Sequence, residues 1–298
     1  MGSNCCKEIR VESNNIQITS NKKNYISWIK GDKIGQGVYA TVYKALDPET
    51  SSIFAVKSIS LRNRNLDPSR IISSIQREVE ILKSLDHNNI IKFYQTDIDI
   101  ENHEIFIICE YASNKDLLSL VKEFHPLSIR TIQKFTKEVL RALEYIHNKG
   151  IVHRDLKCEN ILIDKDSVVK LNDFGLSCLR ENQKNEFVGS PYWMAPEIFA
   201  GKEWTPAADV WSLGCTVVEM ITGQPPWSAC AKNVKELVKV IMKPNAFPLV
   251  NKCDKVLNDF LKKCFDQNPK SRLSAGELLK HEFLVDEEVT CGNTYVNE

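Results

Sequence analysis

The sequence predicts an α+β fold in two lobes, a small β-rich N-terminal lobe with one helix and a larger, mainly helical C-terminal lobe. Two observations lead to this prediction. Strand-like patterns come first along the chain, and helical periodicity dominates after Asp116. No internal repeat and no long linker interrupts the chain, so both kinds of element belong to one continuous unit that joins near residues 110–113. Such a layout predicts a cleft between the lobes.

The elements of the N-terminal lobe follow from apolar periodicity. β-Branched residues over 34–42 and 53–59 predict strands, with a turn at Asp47-Pro48 between them. Apolar residues at three- and four-residue steps over 69–85 predict one amphipathic helix. The short apolar run 105–109 has the length of a strand.

The C-terminal lobe begins with a long helical pattern over 131–147, which Gly150 ends. Residues 161–163 and 168–171 read as two short strands. Residues 210–221 are apolar on nearly every side, and this pattern predicts a helix that is buried all round.

Composition excludes several classes of protein. The 298 residues contain 39 Lys+Arg and 39 Asp+Glu, and this balance argues against nucleic-acid binding by bulk charge. No apolar run reaches membrane-spanning length and no secretory leader is evident, so we expect a cytoplasmic protein whose ten cysteines are reduced. Residues 1–27 are polar and predict a flexible leader, and residues 285–298 predict an acidic tail.

The first chemical motif combines a glycine-rich turn with a lysine. Gly35 and Gly37 would let a hairpin backbone approach phosphate oxygens, although a plain hairpin turn has the same pattern. Lys57 ends the apolar run Phe54-Ala55-Val56 and is either a surface residue or a cation aimed at phosphates. In the second case its long stem needs a carboxylate, which Glu78 or Glu80 on the predicted helix could supply.

The second motif, His153 to Asn160, is more specific. Asp155, Lys157 and Asn160 provide a carboxylate, an ammonium and an amide just before a short strand, and Asp173-Phe174-Gly175 adds a second carboxylate on a turn. A solvated loop of charges is the alternative interpretation. The order and spacing of these groups favour phosphoryl transfer instead.

Together with Ala195-Pro196-Glu197, the segment 209–214 and Arg272, these motifs resemble those of the eukaryotic protein kinase family over residues 28–284. The resemblance implies the bilobal protein kinase fold, with an N-lobe at about 28–109, a hinge at 110–113 and a C-lobe at 114–284. It also implies ATP and Mg²⁺ as cofactors.

Site residues follow from the resemblance, position by position. Asp155 is expected to accept the substrate hydroxyl proton, Lys157 to steady the γ-phosphate, and Lys57 to pair with Glu78. Asn160 and Asp173 are expected to bind Mg²⁺, while Asp209 ties down the catalytic loop and Arg272 clamps Glu197. The implied nucleotide contacts are Ile34, Gly35, Gly37, Val42, Ala55, Lys57, Cys109, Glu110, Ala112 and Asp116.

This chain departs from the family pattern at three places. Ala40 stands where the loop usually has its third glycine, Asn114-Lys115 replaces the glycines after the hinge, and Cys158 follows Lys157. None of these changes removes a catalytic group. The resemblance places Cys109 at the gatekeeper position and Cys158 at the cleft.

Lys157, two residues after Asp155, is typical of serine/threonine kinases. Residues 189–194 resemble the substrate loop of the sterile group, in which Ser190 is expected to hydrogen-bond Asp155 and Lys157. Residues 209–227 most resemble mitogen-activated protein kinase kinase kinases. We therefore expect a kinase acting on proteins, a downstream kinase among them. A scaffold or pseudokinase on the same fold, or an upstream kinase with structural or cytoskeletal substrates, is the alternative.

The sequence also suggests how activity is regulated. Ser, Thr and Tyr are absent between Ser177 and Ser190, and Glu186 occupies the position where sterile-group kinases commonly carry a phosphorylated residue. The hypothesis is that Glu186 supplies permanent negative charge to Arg154. The alternative is an ordinary solvated glutamate.

Membrane attachment is suggested by the first residues. Gly2 resembles an N-myristoylation site, although Cys6 stands where the stricter motif has Ser or Thr. Palmitoylation of Cys5 and Cys6 would provide the second anchor that stable attachment needs. An incidental leader sequence is the alternative.

Overall fold

The computed structural model describes residues 6–12, 15–21, 26–37, 40–61, 68–179, 187–248 and 254–285. Its architecture confirms the predicted α+β fold, with a β-sheet lobe followed by a helical lobe. Within the described ranges, no helix is both long enough and apolar enough to cross a membrane.

A five-stranded antiparallel sheet forms the N-terminal lobe. Its strands are β3 (Ile29–Gln36), β4 (Ala40–Leu46), β5 (Ile53–Ser60), β6 (Phe93–Asp99) and β7 (Glu104–Glu110). They lie in the order β3-β4-β5-β7-β6 across the sheet. Where the sequence predicts one strand over 34–42, the structure has two, because the glycine turn reverses the chain between β3 and β4. Helix α1 (Pro68–Ser84) matches the predicted helix to within one residue at each end.

The two faces of this sheet have different roles. One face packs its own small core of Phe54, Val56 and Ile108, which Trp28 covers. The ring of Trp28 meets Phe106 edge to face at 5.0 Å between centroids. The other face packs against α1 and lines the cleft.

The C-terminal lobe is built on α3 and α5. Its elements in chain order are β8 (Asn114–Asp116), α2 (Leu117–Phe124), α3 (Ile129–Asn148), β9 (Ile151–Val152), β10 (Ile161–Ile163), β11 (Val169–Leu171), β12 (Cys178–Leu179), α4 (Pro196–Phe199), α5 (Pro206–Thr222), α6 (Val234–Ile241), α7 (Lys255–Cys264) and α8 (Ala275–Leu278). Ser128 caps α3 by accepting the N–H of Thr131, and Gly150 follows the helix in a left-handed conformation. Residues 208–220 of α5 are all buried, as their apolar pattern predicts.

Two further strands, β1 (Cys6–Glu12) and β2 (Asn15–Asn21), form an antiparallel hairpin. Here the structure differs from the predicted flexible leader. The physical reason is visible in the register: Ile9 lies opposite Ile18 and Val11 opposite Ile16. Alternating β-branched residues favour a strand pair even in a polar segment. Apart from Val285, the predicted acidic tail lies outside the described residues.

Candidate active site

A cavity of about 560 Å³ lies between the lobes, a volume typical of small-molecule sites. Strands β3, β4 and β5 form its roof, the segment 110–116 its rear wall, and the segment 159–174 its floor. Its lining includes all ten residues to which the resemblance assigns nucleotide contacts: Ile34, Gly35, Gly37, Val42, Ala55, Lys57, Cys109, Glu110, Ala112 and Asp116.

The glycine turn closes the roof of this cavity. Gly35 pairs with Val42 across β3 and β4, and the N–H of Gly37 donates to the carbonyl of Ala40 at 2.8 Å. Ala40, which replaces the family's third glycine, therefore stands at the start of β4 and leaves the hairpin intact.

Lys57 is held by two carboxylates. Its Nζ lies 2.6 Å from Glu78 Oε1 on α1 and 3.6 Å from Asp173 Oδ1. Glu78 is buried and Glu80 is exposed, which resolves the choice between them. Burial alone would lower the pKa of Lys57, but Glu78 and Asp173 raise it, so the ammonium stays charged.

Asp155 lies on the loop between β9 and β10 with both oxygens engaged. Its Oδ2 accepts from Asn160 Nδ2 at 2.9 Å, and its Oδ1 accepts from the backbone N–H of Ser190 at 3.0 Å. Lys157 Nζ is 3.7 Å from Asp155 Oδ2 and 2.9 Å from Glu159. The structure thus brings the expected base, ammonium and amide together on one short loop.

Asp173 adopts a left-handed conformation at the start of a short 3₁₀ turn, Phe174–Leu176. The ring of Phe174 is buried and meets His153 edge to face at 5.1 Å. Burial alone would raise the pKa of Asp173. Nearby positive charges, above all that of Lys57, outweigh burial and lower this pKa below its usual value. The carboxylate therefore remains ionised and directed at Lys57.

The donor atoms of Asn160 and Asp173 fit a magnesium ion. Both residues line the cleft, and because Asn160 directs its amide nitrogen at Asp155, its amide oxygen is the atom left for a metal. Among the described residues, no group of three His, Cys, Asp or Glu side chains could hold a metal. Two oxygen donors completed by phosphate and water are what Mg²⁺ ordinarily takes in such sites.

The catalytic loop is fixed from below by Asp209 on α5. Asp209 accepts the N–H groups of His153 at 2.8 Å and Arg154 at 3.0 Å, and it bonds His147 Nε2 at 2.9 Å. These bonds hold Arg154 at a φ of 70°, a conformation that L-residues rarely adopt. Sequence reasoning missed His147, which the helical pattern of α3 marked only as a polar position.

Arg272 forms the expected clamp with Glu197. Its guanidinium makes two hydrogen bonds to the carboxylate, at 2.7 and 3.0 Å, in a completely buried position. It also lies 5.2 Å from the ring of Trp211. This pair fastens the segment after the substrate loop to the C-terminal lobe.

Two expectations need correction. Ser190 hydrogen-bonds Asp155 as expected, but it does so through its backbone N–H, and the expected bond to Lys157 is not formed. The position of that N–H depends on Gly189, which has a φ of 102° and whose Cβ, if it had one, would lie 2.5 Å from the carbonyl of Arg154. Cys158 is completely buried and its thiol contacts the carbonyl of Thr216 on α5, so it faces away from the cleft.

Sequence reasoning also missed an ion pair behind the hinge. Lys170 on β11 lies 2.9 Å from Glu110, the last residue of β7, and so links the two lobes. Glu186, Gly2 and Cys5 lie outside the described residues, as does the side chain of Cys6.

Comparison with known proteins agrees with this geometry. A model of the protein kinase domain matches residues 28–284. Mitogen-activated protein kinase kinase kinase A of Dictyostelium discoideum is 38% identical over 270 residues, which cover 88% of this chain and 28% of that protein. Mitogen-activated protein kinase kinase kinase 2 of Arabidopsis thaliana is 34% identical over 271 residues, 88% of this chain and 41% of that protein.

Cell division control protein 7 of Schizosaccharomyces pombe is 37% identical over 265 residues, covering 86% of this chain and 23% of that protein. The chain thus spans less than half the length of these relatives. The matched part includes every motif of the cleft described above. The chain therefore belongs to the protein kinase family, and its kinase domain is of the serine/threonine type similar to mitogen-activated protein kinase kinase kinases.

Proposed function

We propose that the protein transfers the γ-phosphoryl group of ATP to serine or threonine hydroxyls of other proteins. The observation that carries this proposal is the assembled catalytic set. Lys57 is paired with Glu78 at 2.6 Å, and Asp155 is held at 2.9 Å by Asn160, which lines the same cleft.

In this reaction the substrate oxygen forms a bond to the γ-phosphorus while the bond from that phosphorus to the β-phosphate oxygen breaks. Asp155 takes up the proton that the hydroxyl loses, since its oxygens accept bonds from Asn160 and Ser190 and retain lone pairs. Lys157 lies beside Asp155, where its charge can oppose the negative charge of the transferred group.

Lys57 is suited to hold the α- and β-phosphates, because two carboxylates fix its ammonium at the edge of the cleft. We propose Asn160 and Asp173 as the residues that hold Mg²⁺. When bound, the ion would neutralise phosphate charge.

A scaffold or pseudokinase is the alternative, and one experiment separates it from a kinase. The protein is incubated with ATP, Mg²⁺ and dephosphorylated casein, and phosphorylated residues are mapped by mass spectrometry. Phosphoserine and phosphothreonine are expected with the wild type and not with Asp155→Asn. Absence of incorporation with the wild type would refute the proposed activity.

We further propose a role in a kinase cascade with a downstream kinase as substrate. Support comes from the names of several relatives, which are mitogen-activated protein kinase kinase kinases. Other relatives carry names from cell division and cytokinesis, and these favour structural or cytoskeletal substrates as the second candidate. A comparison of phosphorylation sites in cells with and without an inhibitor of this kinase would distinguish them, because the first role predicts lost sites in activation segments of kinases.

Glu186 is proposed to replace activation-segment phosphorylation. The supporting observation is that Lys57 already stands within ion-pair distance of both Glu78 and Asp173. Phosphatase-treated wild type is expected to retain activity, and Glu186→Ala to lose part of it. Complete loss of activity on phosphatase treatment, or unchanged kinetics in Glu186→Ala, would contradict the proposal.

Attachment to membranes through acylated Gly2, Cys5 and Cys6 is proposed on sequence alone. The protein would then be cytoplasmic with a membrane-bound fraction. Fractionation of cells is expected to show that this fraction falls in Gly2→Ala. An unchanged fraction would rule out myristoylation as the anchor.

A further inference from the structure

Glu159 is a carboxylate beside the catalytic loop that has no role in the chemistry above. It lies in the short 3₁₀ turn Cys158–Asn160 and lines the nucleotide cavity, with 62% of its side chain exposed. Its Oε2 lies 2.9 Å from Nζ of Lys157. Because the charge of Lys157 is expected to oppose that of the transferred phosphoryl group, the partner that holds this ammonium beforehand affects the reaction.

The turn directs its side chains to different places. Lys157 precedes it in an extended conformation, and the N–H of Asn160 donates to the carbonyl of Lys157 at 3.0 Å. Cys158 is buried against α5, and the amide nitrogen of Asn160 points at Asp155. The side chain of Glu159 instead faces solvent and the ammonium of Lys157. The local fold therefore brings these two charges together.

The ammonium of Lys157 is shared unequally between two carboxylates. It lies within hydrogen-bond distance of Glu159, at 2.9 Å, and beyond that distance from Oδ2 of Asp155, at 3.7 Å. Burial alone would lower the pKa of Lys157, but the hydrogen bond to Glu159 and then the charge of Asp155 raise it above its usual value. Glu159 is thus the direct partner, although its side chain is far more exposed than that of Asp155.

Asp155 is held in place by other groups. Its Oδ2 accepts from Asn160 and its Oδ1 accepts from the backbone N–H of Ser190. A charged donor in direct contact would stabilise the carboxylate further and weaken it as the acceptor of the substrate proton. The same contact would also withhold the ammonium from the phosphoryl group. The observed separation of Lys157 from Asp155 therefore favours both of their roles.

We propose that Glu159 is a positioning residue that holds the ammonium of Lys157 away from Asp155 until the phosphoryl group displaces it. This inference rests on the proposed kinase activity. An exposed ion pair is weak, and the lysine stem is flexible, so the ammonium can exchange Glu159 for a phosphate oxygen. The proposal predicts that Glu159 acts on kcat and leaves the binding of both substrates unchanged.

The test is Glu159→Gln in the full chain, with steady-state kinetics on dephosphorylated casein and Mg²⁺-ATP. Glutamine keeps the shape of the side chain but lacks its charge, so Asp155 becomes the stronger attraction for Lys157. We expect kcat to fall about three- to fivefold, which is the most that an exposed ion pair supports, while KM for ATP and for casein stays within about twofold.

Two results of this test would overturn the proposal. A raised KM with an unchanged kcat would show that Glu159 contacts a substrate directly. A raised kcat would show that Glu159 only withholds Lys157 from the phosphoryl group. Because Glu159 is exposed, Tm should stay within about 2 °C of the wild type, and the loss of kcat then cannot come from unfolding.

Glu123→Gln is the matched control. Glu123 on α2 is also an exposed glutamate paired with a lysine that lines the nucleotide cavity, since it lies 3.1 Å from Nζ of Lys115. That lysine has no role in the proposed chemistry. The substitution is expected to leave kcat unchanged, and a loss equal to that of Glu159→Gln would overturn the proposal.

A double variant tests whether Glu159 acts through Lys157. Lys157→Ala removes the ammonium, and incorporation of phosphate from radiolabelled ATP measures the low activity that remains. Adding Glu159→Gln to Lys157→Ala should change this activity by less than about twofold, because the group that Glu159 positions is gone. A full three- to fivefold loss there would overturn the proposal. An inactive wild type would refute the proposed function itself, so the two failures can be told apart.

Discussion

The strongest quantitative prediction concerns Asp209→Asn, which changes one oxygen of a buried carboxylate to an NH₂ group. The carboxylate accepts three hydrogen bonds, from the backbone of His153, the backbone of Arg154 and the ring of His147. An asparagine oxygen in the place of Oδ2 can keep the bonds to His153 and His147. The N–H of Arg154 then faces an NH₂ group and is left without an acceptor.

The magnitude follows from those bonds. A buried donor without a partner costs about 1–3 kcal/mol, and each bond that changes from a charged to a neutral acceptor loses about 1 kcal/mol. The total is about 3–5 kcal/mol, which lowers Tm by roughly 6–20 °C for a domain of this size. Because Arg154 is held in a left-handed conformation next to Asp155, kcat is expected to fall about tenfold or more.

Thermal unfolding and steady-state kinetics check this prediction, with Asp259→Asn as the matched control. Asp259 pairs with His281 at the surface, where its side chain is 56% exposed, so the same substitution should cost less than about 1 kcal/mol. A Tm of Asp209→Asn within 2 °C of that of the control corresponds to a stability difference of less than about 1 kcal/mol and would refute the reasoning. So would an unchanged kcat.

The pH dependence has a definite sign. Burial alone would raise the pKa of Asp209, but the hydrogen bond and charge of His147, followed by those of His153, lower it below its usual value. A carboxyl whose folded pKa is depressed stabilises the protein above its unfolded pKa, and this contribution disappears as pH falls through the folded value. The stability difference between wild type and Asp209→Asn should therefore be constant above about pH 5 and narrow progressively in stronger acid.

Three further predictions follow from the site. Glu78→Gln should lower kcat/KM for ATP by about 10–100-fold, because a charged bond to Lys57 is lost. Glu80→Gln on the same helix should leave kcat/KM unchanged, and equal effects of the two substitutions would contradict the pairing. Arg272→Met should destabilise the domain by about 3–5 kcal/mol, because Glu197 is left buried and unpaired; denaturant unfolding should show part of this recovered when Glu197→Gln is added. Burial, followed by the charge of Glu78, raises the pKa of the Cys109 thiol to about 12. Mass spectrometry after iodoacetamide treatment at neutral pH should therefore find the exposed Cys230 alkylated and Cys109 unmodified. Alkylation of Cys109 would contradict this prediction.

Sequence alone predicted which residues come together at the cleft, because each motif is a short segment whose residue types are required by the proposed chemistry. Asp155 and Asn160 are close in the chain, so their hydrogen bond needs little of the rest of the fold. The pairing of Lys57 with Glu78 was harder, since two glutamates on the same helix could reach the strand. Helical phase settles it: Glu78 shares the buried face of α1 with Val79 and Ile75, while Glu80 points to solvent.

The errors have a common physical cause, which is that side-chain direction outside regular elements depends on tertiary contacts. Cys158 turns away from the cleft because α5 offers it a carbonyl and a carboxylate. Ser190 reaches Asp155 by its backbone, because Gly189 lets the substrate loop lie against the carbonyl of Arg154. Neither direction is encoded in local periodicity.

α5 carries a second buried carboxylate, Glu219, whose Oε2 accepts the backbone N–H of Cys158 at 3.2 Å, and one signal in the sequence could have identified it. The apolar pattern of residues 210–221 predicts a helix without a solvent-facing side, and a carboxylate in such a helix must find donors inside the protein. Asp209 and Glu219 are ten residues apart on α5, about 15 Å along the helix axis. They accept the N–H groups of residues 153 and 154 and of residue 158. Since these N–H groups flank Asp155 and Lys157, the helix fixes the catalytic segment at both of its ends, and this explains why two carboxylates are buried in a helix that is mostly apolar.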